Sequence, residues 1–121
     1  MSWQELPNAP APGSRICTLE EVADGTAAMF NLGTEAPAFP LLVLRSGDEV
    51  FGYLNRCTHL GLPLAKQPQH LYFEAHEHVL CNVHYARYGW RDGRCISGEC
   101  AGESLVAVPL SVIDGQVILQ P

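Results

Sequence analysis

The sequence contains no long apolar run. The longest, Phe39-Pro40-Leu41-Leu42-Val43-Leu44, is far short of the ~20 residues a membrane helix needs. Cations are few: seven Lys and Arg stand against thirteen Asp and Glu, a net charge of -6. Such a chain is a poor match for a phosphate backbone, so no nucleic acid is expected as a partner. The net charge steers it toward a basic protein surface instead. The N-terminal stretch has neither the basic nor the apolar region of a secretory leader, so a cytoplasmic protein with no membrane attachment is expected. No window shows sustained 3.6-residue apolar periodicity, which argues against a helix bundle. Five cysteines cannot all pair within the chain. In a cytosolic protein, Cys clustered with His points to a metal rather than to disulfides.

What is present fits one domain. A chain of 121 residues, 47% apolar and 17% charged, has ordinary globular composition. It is long enough to bury roughly 65% of the surface its unfolded form exposes. Residues 7–13 (PNAPAPG) form a Pro-rich lead that suits neither helix nor ladder. Residues 15–19 read as a short strand, and Thr18 with Glu21 has capping-box spacing for one helical turn ending near Gly25. Residues 26–32 and 39–45 read as strands, and Ser46-Gly47-Asp48 turns the chain into a return strand over 49–54. Asp114-Gly115, between residues 105–113 and 116–119, is the strongest hairpin signal. The pattern predicts an all-β fold of short antiparallel strands, with residues 1–14 as a lead and 15–121 as one domain. The loop-rich part at about 55–102 holds all five His and four of the five Cys, and there the function should lie.

Two motifs carry the chemistry. Cys57-Thr58-His59 and Cys81-Asn82-Val83-His84 each place one thiol and one imidazole on the same short loop. Zinc accepts two Cys and two His, but its motifs usually pair Cys with Cys and His with His. A mixed loop suits a binuclear cluster in which one iron takes both thiolates and the other both imidazoles, the ligation of a Rieske 2Fe–2S centre. A mononuclear zinc site remains the alternative.

The flanking residues resemble the Rieske family. Leu62-Pro63-Leu64 follows the first motif as in the family's C-x-H-x-G-x-x-L loop. The run from Tyr85 through Gly93 to Ser97-Gly98 is similar to the family's stretch after its second His. Val108-Pro109-Leu110 and Gly115-Gln116-Val117 resemble its terminal hairpin. The likeness covers about residues 41–119 and implies a Rieske-type fold of antiparallel sheets with a loop-built cluster-binding subdomain. It implies one 2Fe–2S cluster per chain, held by Cys57, His59, Cys81 and His84, with both imidazoles exposed as the electron exit. The sequence also departs from the family. Between His59 and Cys81 lie 21 residues, a few more than usual, so Gln67 to Glu77 is expected as an extended hairpin. Asn82 and Tyr85 stand where Pro and Gly are common, and the third loop, Gly98 to Gly102, lacks the family's shielding Pro.

The resemblance also bears on tuning. High-potential members carry a disulfide between the cluster loops, and Leu62 and Val83 occupy those positions, so that bond cannot form. Ala86 replaces a Ser whose hydroxyl would bond a cluster sulfide, whereas Tyr88 either matches a tyrosine that bonds a ligand sulfur or is a packed aromatic where many ferredoxin-type relatives carry Phe. A centre toward the lower end of the Rieske range, about -150 to +300 mV, is implied. The remaining candidates have plainer readings. His70, His76 and His78 read as a solvated hairpin, Cys17 as a small buried hydrophobe, and Cys95 and Cys100 as free thiols. Trp3 and Trp90 read as packing residues, and Arg91-Asp92 as a turn.

Three functions follow. The first is a Rieske ferredoxin, an electron-transfer protein rather than an enzyme, passing electrons from a reductase to a terminal oxygenase, as a monomer or weak dimer. The second is a small electron-transfer subunit of a larger reductase of the nitrite reductase type. The third is a non-redox zinc-binding interaction module. A self-contained oxygenase is not expected, because the last strand ends just before Pro121 and leaves no catalytic domain.

Overall fold

The computed structural model describes residues 3–56, 63–81, 86–98 and 102–120. Among the described residues, eleven strands form three antiparallel sheets and no α-helix occurs. The first sheet has the order β1-β11-β10, from Arg15–Thr18, Gln116–Leu119 and Leu110–Ile113. The second has the order β2-β3-β4-β9, from Ala27–Leu32, Phe39–Ser46, Glu49–Leu54 and Ala107–Val108. The third has the order β5-β6-β7-β8, from Phe73–Glu74, His78–Leu80, Arg87–Gly89 and Cys95–Ser97.

The apolar run of β3 is explained by burial on both faces, which removes the polar alternation of a half-exposed strand. Phe39, Leu41 and Val43 join Cys17, Val108 and Val117 in a core against the first sheet. Leu42 and Leu44 face the other way, into a core with Val79 and Tyr88 of the third sheet and Trp90 in the turn after β7. The second sheet is thus the middle layer. Each fully buried Leu or Val contributes about 1.5–3 kcal/mol.

Turn chemistry sets the register at both ends. Asp114 and Gly115 take φ of 50° and 73°, the left-handed pair of a two-residue hairpin, and Ile113 faces Gln116 across it. Residues 105–113, expected as one strand, are two. Pro109 has no N–H to continue a ladder, and there the chain leaves the middle sheet (β9) for the outer one (β10). The expected turn after Thr18 is a single 3₁₀ turn, Leu19–Glu21, with Glu21 Oε2 accepting from Thr18 N–H at 2.5 Å. The expected hairpin over 67–77 begins later, at Phe73, after a 3₁₀ turn at Pro68–His70.

A buried polar bond braces the middle layer against the third: Tyr53 on β4 donates its hydroxyl to the Trp90 carbonyl, just past β7, at 2.7 Å. Burial pushes the Tyr53 phenol up to about 12, with Asp92 adding to the effect. An unfolded tyrosine ionises near 10. The stability this group contributes is therefore whole below pH ~10 and lost as pH rises toward ~12. The urea midpoint of the wild type should fall more steeply over that window than that of Tyr53→Phe, as followed by circular dichroism at stepped pH. Parallel curves would mean the brace is open in solution.

Candidate metal centre

One loop leaves the middle sheet after β4 and two leave one end of the third sheet, and the base of each is closed by a named contact. The first follows β4. Asn55 is the one buried polar residue among those described, at 4% exposure. Its Oδ1 accepts from Leu64 N–H at 2.9 Å and its Nδ2 donates to the Ala65 carbonyl at 3.1 Å. Its own N–H donates to the Pro40 carbonyl at 3.0 Å, which ties the clasp to β3. The chain therefore departs at Arg56 and returns at Leu64 through one fixed point.

The second loop joins β6 to β7. Cys81 directly follows β6 and donates its N–H to the Ala86 carbonyl at 2.8 Å, closing the excursion over 82–85. The Cys81 side chain is fully buried and not in a disulfide. The third loop follows β8. Cys95 N–H donates to the Glu103 carbonyl at 2.8 Å, and Arg94 bridges Ser104. Gly98 brings this loop against the second. Its φ is +99°, and a Cβ there would lie 3.0 Å from Ala86 Cα. Only glycine combines that backbone with that approach.

The anchors of the three loops share one core: Leu64, Ala65, Cys81, Ala86, Tyr88 and Cys95 belong to the same buried cluster. Of the residues expected at the site, Cys81, Ala86 and Tyr88 are brought together here, each at 2% exposure or less. Cys57, His59, Leu62, Val83 and His84 lie outside the described residues, in the segments that the first two clasps close. Asn55 had no signal in the sequence beyond its residue type, whereas Gly98 stood in the Ser97-Gly98 pair of the family likeness.

The other candidates separate from the site. Cys17 sits in the other core, and burial pushes its thiol up to about 11, with Glu21 adding and Arg15 opposing. It stays protonated and is a poor metal ligand. His76 Nδ1 lies 2.8 Å from Ser46 Oγ and its ring is 5.6 Å from that of Trp90, so it docks the hairpin tip on the β3–β4 turn. No group of three metal-ligating side chains gathers among the described residues. Trp90 is buried at 1% exposure, and Arg91 pairs with Glu49 at 3.2 Å. Cys95, expected as a free thiol, is disulfide-bonded, with its partner outside the described residues.

The donor set fits an iron–sulfur group. A soft thiol buried at the end of a strand, beside loops closed at their bases, is a donor of the kind such a group takes, in surroundings that exclude water. The match to a family model decides the matter: residues 14–112 fit that of the Rieske 2Fe–2S domain. The chain belongs to the Rieske family. A Rieske domain carries a 2Fe–2S cluster with Cys on one iron and His on the other.

No curated protein matches this Rieske chain significantly. Among solved structures, it is similar to the ferredoxin of carbazole 1,9a-dioxygenase from Nocardioides aromaticivorans IC177. The TM-score is 0.71 at 21% identity, over 92% of this chain and 99% of that one. The complex of reduced oxygenase and oxidized ferredoxin in carbazole 1,9a-dioxygenase gives 0.68 at 21%, over 88% and 91%. The terminal oxygenase of carbazole 1,9a-dioxygenase from Novosphingobium sp. KA1 gives 0.72 at 20% identity, over 90% of this chain but only 29% of that one. These likenesses show the fold. No helix among the described residues is long and apolar enough to cross a membrane.

Proposed function

We propose that this chain is a Rieske ferredoxin that carries single electrons from a reductase to an oxygenase. The observation that carries the reading is the superposition on 99% of a dioxygenase ferredoxin, joined to the family match. Cys57 and Cys81 would hold one iron and His59 and His84 the other. The group, when bound, supplies a one-electron couple. The chain's own residues close the loops on Asn55 and on Cys81–Ala86, exclude water, and fix the ligands in place. Within this reading the protein works in the cytoplasm, exchanging between separate partners.

Purification from its own cells tests the reading. A ferredoxin runs alone and takes up one electron per chain in a redox titration. A large chain held in fixed stoichiometry would replace this reading with that of a reductase subunit.

The same reading gives Tyr88 a part in setting the potential. Its ring is fully buried beside Cys95 and Val79, and the family resemblance implies that its hydroxyl bonds a ligand sulfur, that of Cys57 in this reading. A bond worth about 1 kcal/mol, stronger to the reduced sulfur, lowers the potential on removal by about 40 mV. Tyr88→Phe should keep the fold and show that fall in spectroelectrochemistry. An unchanged potential would leave Tyr88 as packing.

A further inference from the structure

The net charge of -6 hides a segregation of charge. Three of the seven cations are engaged in the body of the protein. Arg15 meets Glu21 and Gln116, and Arg91 meets Glu49. Arg45 donates to the carbonyls of Leu19, Val22 and Gly47. The other four, Arg56, Lys66, Arg87 and Arg94, are exposed, and their side chains have no ion pair or hydrogen bond among the described residues.

Three of those four flank the cluster loops. Arg56 opens the first loop directly after the Asn55 clasp, and Lys66 closes it directly after Ala65. Arg87 follows Ala86 at the exit of the second. The segments that build these loops, Asn55 to Phe73 and His78 to Trp90, contain no Asp or Glu. The third loop contributes Glu103, exposed at its base, and Glu99, which lies outside the described residues. Tyr72 and Ile96, 51% and 58% exposed, stand at the two edges of the third sheet close to the same end. Tyr72 accepts from Leu80 beside Cys81, and Ile96 is next to Ser97, which faces Arg87.

A domain of this size has a radius of gyration of about 14 Å, whereas charges are screened over about 8 Å at physiological ionic strength. A partner at the loop end therefore meets the local cations, not the net charge. We propose that the loop end docks an acidic surface of a protein redox partner, with Arg56, Lys66 and Arg87 as its charge contacts and Tyr72 and Ile96 as apolar ones. This reverses the expectation from net charge alone. It rests on the carrier reading for its purpose, but not for the existence of the surface.

The test uses the purified holoprotein and two probes. Fluorescein-labelled polyglutamate, followed by anisotropy, needs no redox activity. The wild type should bind it, more weakly as salt rises, and the triple variant Arg56→Ala/Lys66→Ala/Arg87→Ala should bind about tenfold more weakly. Arg15→Ala/Arg91→Ala, which removes two paired cations, should bind as the wild type does. Stopped-flow oxidation of the reduced protein by ferricyanide is the second probe. Its rate should fall with added salt, as for opposite charges, and should rise with salt in the triple charge reversal to Glu. Absent binding, equal loss in the two alanine variants, or a ferricyanide rate that rises with salt in the wild type would overturn the proposal. Polyglutamate binding by a protein with no reducible cluster would sink the carrier reading and leave the surface standing.

Discussion

His59→Ala and His84→Ala should each abolish the Rieske absorption and EPR signal, while His76→Ala leaves both intact. Two neutral imidazoles give one iron a less negative ligand set than the two thiolates give the other, so that iron favours the added electron. Removing either imidazole removes the asymmetry that defines the centre. His76 is the matched control. It docks the β5–β6 tip through Ser46, and its loss costs one exposed hydrogen bond, about 1 kcal/mol or less. An unchanged spectrum in either ligand variant would contradict the assignment. Loss of the spectrum in His76→Ala as well would show that the assay reports general destabilisation.

Asn55→Leu should cost more than any surface change and should loosen the first loop. Leu keeps roughly the volume but leaves Leu64 N–H and the Ala65 carbonyl without their partner inside the core. Each orphaned group costs about 1–3 kcal/mol, so a loss of about 2–5 kcal/mol is expected, a large share of a domain's usual 5–15 kcal/mol. The urea midpoint should drop with the slope unchanged, and iron retained after desalting should drop with it. A shift below about 0.5 kcal/mol with full iron would mean that solvent replaces the clasp and that Asn55 does not position the loop.

The contrast between Asn55 and the hairpins shows what was legible in the sequence. The turns at Ser46–Asp48 and Asp114–Gly115 were readable because their chemistry is local: a few residues with left-handed freedom fix the register of the strands beside them. The run 39–44 was readable as a strand, though only the structure shows that both its faces are buried. The strands of the third sheet are two or three residues long and exist because loop closures and the core hold them, so no periodicity announces them. Asn55 acts on residues nine and ten positions away, and nothing in its neighbours marks that reach. The split at Pro109 is marked only by the proline itself, since the residues on either side read as one strand. Compartment alone predicts a free thiol at Cys95, whereas the fold holds it in a disulfide. The proposed ligand set rests on the mixed Cys/His motifs and their likeness to the family, and three of its four residues lie outside the described ones.

Iron, zinc and acid-labile sulfide analysis of the wild-type protein, with EPR of its dithionite-reduced form, tests the central claim most directly. The account predicts two irons and two sulfides per chain, no zinc, and a Rieske-type signal that appears with one electron per chain. One zinc per chain, or iron without sulfide and without that signal, would contradict it.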